Sequence, residues 1–295
     1  MAAIVPFTKA KQKLTWLITG CSSGFGLSLV RIAQAGGHKV IATSRNPSKT
    51  PDLVKEIESN GGRWMQLDVD SATSGKLVDE LEQSGEEIDV LINNAGYSIY
   101  SPIETITEEE LRSQMETMYF GPLRLIRAVL PHQRKRKFGI IVNFSSGAAL
   151  EAQGSMGAYA GAKGGLDALT KVLAKEVAPF NIRVLTVILG TFNTEFMNVY
   201  VFGKTALPEE YKGTVAGQIM SYIDAGKIIP NGDKEKAMKA VYQLVVGEGF
   251  GAGKEAEKIL PLGSDMTTRI TLVQDQLEHA KEIFGDVTNN VHVDK

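Results

Sequence analysis

Apolar residues along this chain gather into short runs of two alternating kinds. Leu14-Thr15-Trp16-Leu17-Ile18-Thr19 has no helical period and stops at glycine, the pattern of a buried strand. Residues 27–35 instead place their apolar positions on one helical face, and Gly36-Gly37 ends them. The alternation then repeats. Strands are predicted at 39–44, 63–67, 88–92, 139–144 and 182–189. Helices are predicted between them: 50–60, opened by Thr50 as N-cap and Pro51 at the first helical position; 71–84, capped by Ser71; 107–131, opened by the capping box Thr107-Glu108-Glu109-Glu110; and 155–178.

Beyond Leu189 the pattern loosens. Residues 195–230 mix Phe196, Met197, Val199, Tyr200, Val201 and Phe202 with polar positions and read as an insertion covering a site. A helix at 234–246, a last strand at 258–260 and a helix at 264–284 follow, with a mobile tail at 286–295 and a polar arm at 1–13. Strand–helix alternation at this spacing implies parallel strands with helices on both faces. Seven such units make one doubly wound α/β domain rather than two domains. A sheet of this kind binds ligands beyond the carboxyl ends of its strands.

Composition narrows the function. Across 295 residues, Lys plus Arg number 32 and Asp plus Glu 34, a net charge of −2. So balanced a chain lacks the basic footprint of a nucleic-acid binder. At 43% hydrophobic residues it is an ordinary globular composition, not a disordered one. Cys21 is the only cysteine, so no disulfide forms within the chain. No apolar run is long enough to span a membrane, and the first residues lack a signal-peptide core. The expectation is a soluble, cytoplasmic protein. The scattered histidines His38, His132, His279 and His292 offer no metal-ligand spacing. Arg134-Lys135-Arg136-Lys137 reads as a solvated turn between a helix and a strand.

Between the first strand and the first helix lies Thr19-Gly20-Cys21-Ser22-Ser23-Gly24-Phe25-Gly26. Glycines there permit a tight turn and close approach of backbone to a pyrophosphate, and the helix start favours an anion. The second strand ends Thr43-Ser44-Arg45. An acidic residue near that point would mark NAD by binding the ribose 2′-hydroxyl; Arg45 can pair with a 2′-phosphate instead, which argues for NADP(H). Cys21 within the loop reads as inert.

Tyr159 and Lys163 are four apart on a predicted helix and share a face. Tyr200 and Lys204 have the same spacing, but only the first pair has a serine, Ser146, thirteen residues upstream at a strand end. Reduction of a ketone by hydride leaves an alkoxide that needs a proton. A tyrosine hydroxyl can give it, a lysine cation can lower that phenol's pKa, and a serine hydroxyl can hold the substrate oxygen.

In these motifs, with Leu67-Asp68-Val69, Asn93-Asn94-Ala95-Gly96 and residues 190–194, the chain resembles the short-chain dehydrogenase/reductase family over residues 14–262. The resemblance implies a Rossmann-type domain with a parallel seven-stranded sheet and a C-terminal helix and tail at 263–295. It implies that Gly20, Ser22, Ser23, Gly24, Phe25 and Gly26 hold the cofactor phosphates, with Ser44 and Arg45 at the 2′-position. Asp68 and Val69 would lie at the adenine, and Asn94, Ala95 and Gly96 near its ribose. Ser146, Tyr159 and Lys163 would be catalytic, Tyr159 and Lys163 also touching the cofactor. Gly190 and Phe192 would meet the nicotinamide and Thr194 the phosphates, with 195–230 as the substrate lid. A homodimer or homotetramer through the helices at 107–131 and 155–178 is also implied.

Two positions depart from the family. Met118 stands where an asparagine usually helps hold a water linking the lysine to solvent, and Leu189 where proline is common. The expected function is NADPH-dependent interconversion of a ketone or aldehyde with an alcohol, on an apolar small molecule of polycyclic or secondary-metabolite type. Tyr97, Glu151, Gln153 and Met156 are candidates to line its pocket. Met118 keeps two alternatives open: a cofactor-binding scaffold or sensor, and a redox-neutral isomerase or cyclase.

Overall fold

A computed structural model describes residues 13–194, 201–227 and 230–293. Strand and helix alternate through β1 (Thr15–Ile18), α1 (Gly24–Ala35), β2 (Lys39–Ser44), α2 (Pro51–Ser59), β3 (Arg63–Gln66), α3 (Lys76–Gln83) and β4 (Val90–Asn93). A short β5 (Ile99–Tyr100) precedes α4 (Glu108–Met115), a π-helical turn (Glu116–Phe120) and α5 (Gly121–Arg136). Then come β6 (Gly139–Ser146), α6 (Ala148–Glu151), α7 (Gly157–Val177), β7 (Ile182–Leu189), β8 (Val201–Phe202), α8 (Val215–Asp224), α9 (Lys234–Val246), β9 (Ile259–Leu262) and α10 (Met266–Asn289).

Seven strands form one parallel sheet in the order β3-β2-β1-β4-β6-β7-β9. Neighbouring residues of a strand point to opposite faces, and both faces are covered. Trp16 and Ile18 pack with Leu29 and Val241 under α1 and α9. Leu17 packs with Leu125, Val129 and Leu173 under α5 and α7. Burial on both sides is why these strands read as continuous apolar runs. The strand order reverses between β1 and β4, so a crevice opens at their carboxyl ends.

Several local expectations change. Thr107 and Glu110 do form the capping box, but Thr50 makes no side-chain cap. The helix expected at 107–131 is interrupted by the π turn and runs on to Arg136. Pro122 explains the wide turn: it has no N–H for the Met118 carbonyl one turn back, and its ring needs the room. The basic run is not a loop. Arg134, Lys135 and Arg136 form the last turn of α5, where the helix dipole favours cations, and Lys137 turns the chain at φ 53. Arg136 pairs with Glu82 at 2.5 Å. The tail expected to be mobile from 286 continues α10 to Asn289. Residues 195–200 and 228–229 of the expected insertion, among them Phe196, Met197, Val199 and Tyr200, lie outside the described residues, as does the arm at 1–12. Its visible part pairs β8 with β5 in a separate two-stranded sheet and adds α8.

Candidate active site

Thr19 to Ser23 form a loop between β1 and α1 at the carboxyl edge of the sheet. Gly20 (φ 71) and Gly24 (φ 57) take left-handed backbone that favours glycine. The loop is stapled to the end of β4. Thr19 Oγ1 donates to the Ile92 carbonyl at 3.2 Å and accepts the N–H groups of Asn94 and Ala95 at 3.0 and 3.1 Å. Asn94 Nδ2 donates to the Thr19 and Gly20 carbonyls at 2.7 and 3.1 Å. Gly26 stands apart from the other glycines of the loop. It does not face the cleft but packs against the Gly20 carbonyl and the Asn94 side chain, where any Cβ would collide. The third glycine serves the seating of α1 on β4.

A buried polar chain fixes α7 to the sheet. Asn93 Nδ2 donates to Asn143 Oδ1 at 2.8 Å, Asn143 Nδ2 donates to Thr170 Oγ1 at 2.8 Å, and Thr170 donates to the Leu166 carbonyl at 2.6 Å. These ties set Ser146, at the end of β6, against Tyr159 and Lys163 on α7. The Ser146 hydroxyl is hydrogen-bonded to the Tyr159 phenol and accepts the Ala148 N–H at 3.2 Å. Lys163 Nζ donates to the Phe144 carbonyl at 2.5 Å.

Burial governs both titrating groups. It pushes the Tyr159 phenol up to about 12, with the Ser146 hydrogen bond pulling the other way. It lowers Lys163 to about 8, with nearby Asp167 opposing. The expected depression of the tyrosine by the lysine is therefore not what this geometry produces. Desolvation of the phenolate outweighs the Ser146 hydrogen bond, and the Lys163 ammonium is anchored on the Phe144 carbonyl. Cys21 is fully buried, donates to the Ile18 carbonyl and has its thiol raised to about 12, in keeping with an inert role.

Met118 is buried in the π turn, its methyl group against Gly96. One turn earlier, Gln114 does what a methionine cannot. Its Oε1 accepts the Ile99 N–H at 2.9 Å, and its Nε2 donates to the Tyr97 carbonyl and to Met118 Sδ, each at 2.9 Å. The strand segment beside the cleft is thereby clamped to α4. At the opposite wall, α10 begins over residues 190–194. Asp265 accepts the Thr191 N–H and hydroxyl at 3.2 and 3.0 Å and the Arg269 guanidinium at 2.8 Å. Arg269 also pairs with Glu151.

One cleft of about 660 Å³ joins these parts. It is lined by Gly20, Ser22, Ser23, Gly24, Phe25, Ser44, Arg45, Asp68, Val69, Asn94, Ala95, Gly96, Ser146, Tyr159, Lys163, Gly190, Phe192 and Thr194. Every expected site residue but Gly26 is thus brought to it. Tyr97, Gln153 and Met156 line it too, whereas Glu151 stands behind Arg269, which does. Arg269, Gln114 and Thr170 were missed because nothing local marks them. Asn143 did carry a signal, a lone amide inside an apolar strand.

The model of the short chain dehydrogenase family matches residues 15–201. An oxidoreductase of Passalora fulva, claN, is 39% identical over 207 residues, 70% of this chain and 94% of that protein. A 3-ketodihydrosphingosine reductase of Bacteroides thetaiotaomicron is 40% identical over 181 residues, 61% of this chain and 64% of that protein. A short-chain dehydrogenase from Streptomyces avermitilis superposes with a TM-score of 0.84 at 30% identity, over 96% of this chain and all of the other. The chain belongs to the short-chain dehydrogenase/reductase family. It is an oxidoreductase of the nicotinamide-dinucleotide type, acting between CH–OH and C=O groups. No helix among the described residues is long and apolar enough to cross a membrane.

Proposed function

We propose that the protein is an NADPH-dependent carbonyl reductase, or the reverse alcohol dehydrogenase, for a small molecule with an apolar body. One observation carries this reading: a single cleft runs from the glycine loop to the Ser146–Tyr159 pair. Its size falls within the range of about 300–1,000 Å³ usual for ligand and cofactor sites. The loop fits a dinucleotide: Gly20 and Gly24 line the cleft in left-handed backbone, and a Cβ on Gly20 would collide with Ala95 Cα at 2.8 Å, so the tight turn needs glycine there. Arg45 supports the 2′-phosphate form: it is exposed at the cleft rim, at the end of β2. Ser44 contributes less, since its Oγ already accepts the Trp64 indole N–H at 3.0 Å. Phe25, Phe192, Met156 and Ile223 give the reacting end apolar walls, and the segment 201–227 serves as a lid. A relative named as a keto-group reductase agrees with the reduction.

When bound, the dinucleotide supplies or takes up the hydride. The chain's residues do the rest. Ser146 Oγ and the Tyr159 hydroxyl hold the substrate oxygen. Tyr159 gives its proton to that oxygen as it becomes an alkoxide. A phenol pushed up to about 12 carries that proton throughout the neutral range, which suits the reductive direction. Lys163 holds the ribose hydroxyls and, as an ammonium, stabilises the phenolate left behind. The scaffold alternative rested on Met118. The Gln114 clamp and the assembled Ser146, Tyr159 and Lys163 favour the enzyme.

The test is Tyr159→Phe with NADPH titrated by fluorescence. Turnover should vanish while NADPH still binds; retained turnover overturns the proton role. Arg45→Asp should weaken NADPH far more than NADH, and an equal loss for both overturns the 2′-phosphate role.

A further inference from the structure

α10 is 24 residues long, roughly 36 Å, yet Met266 is its one buried residue. Arg269 and Asp265 fasten its start to the cleft mouth, and from residue 274 onward its side chains lie in solvent. The helix is not polar along its length. Ile270, Val273, Leu277, Ala280, Phe284 and Val287 recur at alternating spacings of three and four, the a and d positions of a heptad. Leu277 is 67% exposed, Phe284 59% and Val287 63%. Ile270 and Val273 are half-buried against the body, whereas Leu277, Phe284 and Val287 are left uncovered by the described fold, and such a patch marks an interaction surface.

We propose that α10 pairs antiparallel with α10 of a second copy of this chain, about a two-fold axis lying between Leu277 and Ala280. In that register large side chains meet small ones. Ile270 faces the partner's Val287, Val273 the partner's Phe284, and Leu277 the partner's Ala280, with three further layers by symmetry. Parallel in-register pairing would instead set Phe284 on Phe284 and Ala280 on Ala280, crowding one layer and hollowing its neighbour. Charge points the same way. Asp275, Glu278, Glu282 and Asp286 occupy the outward heptad positions, so no like charges meet at the seam. Lys281, at the flank, faces the partner's Gln274. An acidic outer face is the opposite of the basic face that seats a helix on an anionic membrane. Six layers bury on the order of 1,000 Å² in total, the area at which specific interfaces begin. The interface is separate from any formed by α5 and α7, and it is anchored at the mouth of the cleft through Arg269.

The experiment weighs the full-length protein by light scattering, alone and as Leu277→Glu/Phe284→Glu. Both sites are exposed, so the fold survives, which circular dichroism checks. The expected result is a halved mass, dimer to monomer or tetramer to dimer. A second variant, Gln274→Cys/Lys281→Cys, should oxidise to a covalent dimer. These positions are one heptad, two helical turns, apart on one helix, too far to bridge within a chain, but face each other across the seam. An unchanged mass in the glutamate variant, or no covalent dimer, overturns the pairing. Unchanged mass together with loss of binding to phosphatidylcholine vesicles would overturn it in favour of a lipid surface.

Discussion

Asn143 offers the sharpest test of how the reacting side chains are held. It is fully buried in β6, accepts from Asn93 and donates to Thr170, both at 2.8 Å. Asn143→Leu keeps the volume and removes both bonds. Each is worth about 1 kcal/mol net, and stranding the buried Asn93 amide costs about 1–3 kcal/mol more. Added apolar contact from leucine offsets part of this, leaving a loss of roughly 3 kcal/mol. Unfolding entropy near 2.1 cal/mol/K per residue amounts to about 0.6 kcal/mol/K for this chain length, so the Tm should fall by about 5 °C. Calorimetry on Asn143→Leu, Asn93→Val and the double variant provides the readout. The double should be less destabilised than the sum of the singles by about 1–2 kcal/mol, because no amide is then stranded. Because the chain of bonds joins the strand bearing Ser146 to the helix bearing Tyr159, kcat should drop with KM little changed. Strictly additive singles, or an Asn143→Leu protein that melts with its parent, would refute the reasoning.

Three further outcomes are expected. Lys163 titrates near 8, so ketone reduction should decline above about that pH as the ammonium is lost; a rate flat to pH 10 would contradict its role. In the unfolded chain the same group titrates at 10.5, so between the two values the unfolded state binds more protons, and this group's contribution to stability rises with pH there. Arg183 donates to the Val245, Leu244 and Glu255 carbonyls at 2.8, 2.9 and 2.8 Å, closing the end of α9. Arg183→Met should cost about 3–5 kcal/mol in denaturant unfolding, and a loss under 1 kcal/mol would show those carbonyls find water instead.

The parallel sheet was legible because its central strands are apolar on both faces and its helices on one, a pattern written within a dozen residues. Boundaries shifted where a distant or steric partner intervened. Pro122 opened the π turn beneath Met118, and the Glu82 partner and the helix dipole drew the basic run into α5. The glycine loop, the Tyr159–Lys163 face and Ser146 were legible for a similar reason: their chemistry needs a fixed spacing between near neighbours or a fixed place at a strand end.

The residues alone were enough for the alternation of the seven main strands with helices, the loop fit for a phosphate and the residue types for proton transfer. Packing in three dimensions was needed to show that Gly26 seats against Gly20 and Asn94, and that Gln114 clamps the segment beside Met118. It alone decided that burial sets Tyr159 near 12 and Lys163 near 8, and that α10 leaves its apolar stripe in solvent. Each of these depends on which atoms from remote parts of the chain exclude water from a group, and desolvation is a property of the packed whole that no local spacing encodes.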